Sequence, residues 1–376
     1  MSGTVDIAPL VPFFLPERPK TLLLQTIVAP ALAVPPAWSE WLALAGSDPT
    51  REIASDRIGA RQLMPLILNR LELAGCVIPS EMRTVMRTAR TREKLRWETL
   101  SPICAGLLSA LASDGVACTV AGGVALAAAF DEPWDRHSHD LELVVAERDH
   151  DRVVGILEST RLARRGVAPT GATMMDHPSG LPVVIHRHLF DEPGFGHLGV
   201  ALEKSLVETE LFGVRCRTLD ATAMLVHVLA RAVESPRWRS VLQWVVDAAA
   251  LMDRADETRF GDLIARSGAS GLIGRMKTFV TALAIDEDRA PDVTCVVSED
   301  VVPLCLRGAA GSWRGWKRVW KAVPRHRLDL LVATIAPPAE LVSGASARGR
   351  LGYRILLVVR AIKFVGRAIA WRVRAR

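Results

Sequence analysis

Residues 118–146 read CTVAGGVALAAAFDEPWDRHSHDLELVVA, and this stretch decides the fold. A short apolar run, Thr119 to Ala121, stops at Gly122-Gly123. Val124 to Phe130 is small and Ala-rich, a composition that helices prefer. A polar turn with Pro133 follows, and then Asp140-Leu141-Glu142-Leu143-Val144-Val145, whose alternation predicts a strand with one polar face. Asp140 and Glu142 stand two residues apart, so both carboxylates project from one side of that strand. Like charges so placed repel. A divalent cation offsets the repulsion, because Mg²⁺ takes one or two hard oxygen ligands and completes its shell with phosphates and water.

Strand, Gly-Gly, helix, turn and Arg136-x-Ser138-x-Asp140-x-Glu142 together resemble the signature of the polymerase-beta-like nucleotidyltransferase superfamily. The surrounding chain is similar to one uncharacterised bacterial branch of it, over roughly residues 20 to 285. The resemblance implies an α+β protein with a small mixed nucleotidyltransferase-like sheet flanked by N- and C-terminal helical regions. It also implies transfer of a nucleotidyl group from an NTP to an unidentified acceptor, with Mg²⁺ (or Mn²⁺) as cofactor. Asp140 and Glu142 would then be the catalytic acids and metal ligands, while Gly122, Gly123, Arg136 and Ser138 would meet the nucleotide phosphates. One position departs from the pattern. The branch carries a third acid on a neighbouring strand, two residues before a His, and here that place falls on Val184. Alternation puts Val184, His186 and His188 on one face, so imidazoles offer a partial substitute better suited to Zn²⁺ or Mn²⁺ than to Mg²⁺. Asp176, on the preceding strand, is a second candidate. The alternative reading is a non-catalytic nucleotide-binding or scaffold protein.

Working outward, apolar residues at three-and-four spacing predict helices from Lys20 to about Gly115, with residues 1–20 irregular. Residues 51–76 read as one long helix, and another starts at Ser80-Glu81. Residues 149–166 read as an amphipathic helix ending at Gly166, followed by two strands about the Pro178-Ser179-Gly180 turn. Helices resume from Thr218. His227 on its apolar helix reads as a hydrogen-bonded core residue, and Asp247 as the partner of Arg231 or Arg239. The expected divisions are 1–115, 116–217, 218–285 and 303–376, with the boundary before the last at Asp286–Val302.

Composition narrows the class. In 376 residues the charged fraction is 23% and the apolar fraction 49%, ordinary for a globular protein. No apolar run reaches the length of a membrane span, and the N-terminus lacks a basic secretory n-region. Six scattered cysteines without metal-finger spacing predict reduced core thiols and a cytoplasmic protein. Residues 301–376 hold 16 Lys/Arg against two acids, while residues 1–300 hold 31 against 39. The basic end interleaves Trp313, Trp316 and Trp320 with cations, and the 348–376 helix does the same with aliphatic residues. Such a segment either packs its apolar face on the body or docks on an anionic lipid surface or acidic partner, and docking on lipid would make the protein peripheral at the inner face of the membrane. Without a base-stacking platform, sequence-specific nucleic-acid binding is not expected.

Overall fold

The computed structural model describes residues 4–56, 59–167, 171–190, 193–234, 242–285 and 295–310, with 318, 319 and 322. Its centre is a seven-stranded mixed sheet in the order β4-β5-β6-β3-β2-β8-β7. The strands are β2 (Thr119–Ala121), β3 (Leu141–Val144), β4 (Ala163–Val167), β5 (Thr173–Asp176), β6 (Pro182–His186), β7 (Leu206–Leu211) and β8 (Val214–Leu219). β3 runs antiparallel to β2 and parallel to β6, and all four of its residues are buried. A strand with neighbours on both edges and both faces covered belongs in the middle of a sheet.

The expected α+β architecture holds, with helices before and after the sheet. The first helices are α1 (Arg18–Val28), α2 (Val34–Ala45), α3 (Pro49–Ser55), α4 (Met64–Leu73) and α5 (Ser80–Ser113). Between β2 and β7 lie α6 (Gly122–Ala127), α7 (His150–Ser159) and α8 (Gly196–Glu203). After the sheet come α9 (Ala221–Glu234), α10 (Gln243–Met252), α11 (Glu257–Ile264), α12 (Ser270–Ile285) and α13 (Val302–Ala310). One hydrophobic cluster runs through these layers from Ile7 to Val319. Within it Trp38 and Trp41 stack at 5.1 Å between centroids, and Trp38 Nε1 donates to the Val77 carbonyl at 3.0 Å.

Three local expectations give way, and one hairpin stands where the sequence pattern predicted nothing. Residues 51–76 are not one helix: α3 stops at Asp56, whose carboxylate accepts the amide of Ala60, and α4 starts afresh with Pro65 in its first turn. The segment to Gly166 is likewise divided, because α7 ends at Ser159 and Arg161 takes a φ of 74°. Residues after it form the edge strand β4, exposed and carrying Arg164 and Arg165, charges that discourage pairing with another chain. Residues 206–219 form a hairpin that adds two strands to the sheet, joined by Phe212-Gly213 with φ of 54° and 77°. Two consecutive left-handed residues suit the twist of a two-residue hairpin loop. Finally, the N-terminal stretch is ordered: β1 (Thr4–Asp6) pairs with β9 (Val296–Ser298), and a 3₁₀ turn spans Ala8–Phe13.

Among the described residues, no helix is long and apolar enough to cross a membrane. The cysteines are all free thiols, buried except for the half-buried Cys76. Trp313, Trp316, Trp320 and the basic segment 348–376 lie outside the described residues.

Candidate active site

The site forms where β2 ends and β3 begins. Gly122 takes a φ of 64°, a left-handed conformation that L side chains resist. Space demands glycine there too: a Cβ on Gly122 would stand 2.7 Å from the carboxyl carbon of Glu142. On Gly123 it would stand 2.6 Å from Nη1 of Arg136 and 3.2 Å from Oγ of Ser138. The Gly-Gly turn is therefore laid directly over three of the signature side chains.

Beneath the turn, Arg136 is held firmly. Its Nε and Nη2 donate to Oδ1 and Oδ2 of Asp247 in α10, each at 2.8 Å, and its Nη1 donates to Ser138 Oγ at 3.1 Å. Gln243 Nε2 donates to the same Asp247 at 3.1 Å. Both partners of this bidentate pair are about 5% exposed. Asp247 thus pairs with Arg136, correcting the expectation of Arg231 or Arg239. Arg231 instead donates to Glu234 at 2.9 Å, three residues along its own helix, and Arg239 lies outside the described residues.

The two acids differ in access. Glu142 is buried under Gly122, whereas Asp140, one residue before β3, keeps 15% of its side chain exposed. Burial first, and then the Glu142 charge beside it, push the Asp140 carboxyl up to about 7, against the opposing pull of Arg136, His186 and Arg231. The pair has the crowding expected of two carboxylates sharing one small volume.

On β6, Val184 is register-paired with Glu142 and half-buried, so an apolar side chain does stand in the third position. His186 is buried with Nε2 3.8 Å from Glu142 Oε2, and so joins the site. His188 lies past the end of β6 and is exposed. Asp176 pairs with Pro182, two strands from β3, about 10 Å away at ordinary strand spacing, with Arg165 3.9 Å from it. Among the described residues, no group of three or more His, Cys, Asp or Glu side chains is arranged to hold a metal. His227 faces the same side from α9; its Nε2 donates to the Leu189 carbonyl at 3.3 Å and its ring packs 5.2 Å from Phe190. Burial, reinforced by Arg231, holds its imidazole down at about 4 and therefore neutral.

Sequence reasoning missed Arg231 as a neighbour of Asp140, and it missed Glu93. The latter, buried in α5, accepts from His137 Nδ1 and from Arg96, both at 2.9 Å, and so ties the signature turn to the N-terminal helices. The only signal was spacing: Arg231 lies one helical turn after His227, and Glu93 is an acid among arginines.

A family model described as uncharacterised nucleotidyltransferase matches residues 56–277, more than half of the chain. No curated protein matches. Among solved structures, the solution structure of the antibiotic-resistance factor ANT(2'')-Ia aligns with 42% of this chain and 93% of its own, at 15% identity. Its TM-score of 0.29 is too low a likeness to inform the chemistry.

Proposed function

Since the chain belongs to the uncharacterised nucleotidyltransferase family, we propose that it transfers a nucleotidyl group from an NTP to an acceptor hydroxyl, with a divalent cation at Asp140 and Glu142. The observation that carries this reading is the crowded Asp140–Glu142 carboxylate pair, with Glu142 directly beneath the Gly-Gly turn. Two hard oxygen donors, one of them partly open, suit Mg²⁺ or Mn²⁺ that takes the rest of its shell from phosphate and water. When bound, such a cation supplies charge neutralisation at the reacting phosphate and at the leaving group. Imidazole from His186 biases the site toward Mn²⁺ over Mg²⁺.

The chain's own residues do the positioning. Asp247 fixes Arg136, Arg136 fixes Ser138, and both underlie Gly123, so the turn that meets the phosphates is rigid before substrate arrives. The acceptor oxygen bonds to the α-phosphorus, the bond to the bridging oxygen breaks, and pyrophosphate leaves. The hydroxyl proton is lost to solvent as that bond forms, and Val184 supplies no carboxylate at the third position to take it. Preorganised charge, and not covalent chemistry, is the protein's contribution.

Isothermal titration with each NTP and Mg²⁺ or Mn²⁺ tests the reading. Binding is expected to need the cation, and Asp140→Asn or Glu142→Gln should each weaken it at least tenfold. Pyrophosphate release separates a transferase from a chain that only binds. A wild type that binds no nucleotide with any divalent cation overturns the proposal.

A further inference from the structure

Asp140 is preceded by His139, and the two side chains approach to 3.6 Å. His139 also borders a cleft of about 340 Å³ between α5 and the turn joining β5 to β6. Arg92, Arg96 and Thr99 line it from α5, with Ser179 and Leu181 from the turn. Arg92 and Arg96 are four residues apart, on one face of the helix. Between them Glu93 is 4% exposed and meets Arg92 at 3.3 Å and Arg96 at 2.9 Å. His137 donates to the same carboxylate. One buried anion thus fixes two guanidiniums while offsetting only one of their charges, and 46% and 33% of their side chains stay exposed. A Cβ built on Gly180 in the turn meets nothing within 4 Å, so that rim of the cleft is open.

We propose that this cleft binds a phosphate monoester, as the anionic end of the acceptor whose hydroxyl is presented beside Asp140. Paired guanidiniums match the charge and the multiple oxygens of a phosphate better than a single ammonium does. The volume suits a small phosphorylated molecule, and Leu181 gives its uncharged body an apolar wall. The nucleotide's own phosphates are assigned to Gly122-Gly123, and neither glycine lines the cleft, so the cleft is a separate subsite. The anion site stands on the cleft alone. Its assignment to the acceptor rests on the nucleotidyl-transfer reading.

The test uses the full chain in chelator, without metal or nucleotide, titrated with inorganic phosphate, glycerol 3-phosphate and, as a carboxylate control, succinate. Inorganic phosphate and glycerol 3-phosphate should saturate one site, with affinity falling as salt rises. Arg92→Gln should weaken phosphate binding about fivefold or more, and Arg92→Lys should recover part of it. Arg92 is half-exposed, and circular dichroism checks that the variant is folded before its affinity is compared. Asp140→Asn should leave phosphate binding intact or tighter, because it removes a nearby negative charge. Saturating Mg²⁺ and NTP should not displace glycerol 3-phosphate. No saturable phosphate binding, or binding unchanged in Arg92→Gln, refutes the site. Succinate binding as tightly as phosphate refutes the ligand class. Displacement by saturating Mg²⁺ and NTP moves the anion to the nucleotide site and also refutes the proposal. Phosphate binding in a protein that binds no NTP overturns the transferase reading and the acceptor role, yet leaves the anion site standing.

Discussion

Removing either partner of the Arg136–Asp247 pair should be among the costliest single changes in this protein. Two hydrogen bonds of 2.8 Å join side chains that are each about 5% exposed. With Arg136→Met, the carboxylate of Asp247 keeps only the neutral Gln243 donor. With Asp247→Leu, the guanidinium keeps Ser138 and the His137 carbonyl. Either way a charge stays buried without its counter-charge, which costs about 3–5 kcal/mol. The double replacement, Arg136→Met with Asp247→Leu, removes both charges and should lie within about 2 kcal/mol of wild type, because desolvation is removed along with attraction. Arg136→Lys should lose about 1–2 kcal/mol, since one ammonium cannot span both carboxylate oxygens. Urea unfolding followed by circular dichroism, with the four variants fitted to a common slope, gives these differences. Single variants costing less than about 1 kcal/mol, or a double variant no better than the singles, would refute the picture of a desolvated pair holding the turn.

Val184→Asp should tighten Mn²⁺ and Mg²⁺ binding by placing a third carboxylate opposite Glu142, measured by titration of the metal alone; in the absence of metal the same change should lower the melting temperature. Asp140 holds its proton to about 7 in the fold, far above its unfolded value, so the native state binds more protons between those limits. Its contribution to stability of the metal-free protein is therefore lost as pH rises from about 4 to about 7, and Asp140→Asn should flatten that part of the profile. His227 shows the opposite sign. Its folded value, about 4, lies below the unfolded one, so its contribution is present above the ordinary histidine range and is lost as pH falls toward 4. Comparing the acid limb of thermal melts for wild type and His227→Gln checks this.

The signature was legible because its parts are local. Strand alternation, a Gly-Gly break and an Arg-x-Ser-x-Asp-x-Glu run all lie within the 29 residues from Cys118 to Ala146, and each follows from backbone geometry that neighbours impose on one another. The α+β class and the long helix from Ser80 were legible for the same reason, since amphipathic periodicity needs no distant partner. Local pattern also misled: Arg161 and Asp56 end helices where the apolar spacing alone would have continued them. Tertiary structure alone decided who meets whom. Asp247 reaches Arg136 across 111 positions of chain, and Glu93 reaches His137 across 44. Likewise, only the register of β2 on β3 shows that Gly122 is required by the Glu142 carboxylate beneath it. A sequence records what each residue offers, as charge, volume and allowed φ. Which offers are taken up depends on contacts between segments whose separation along the chain leaves no periodic trace.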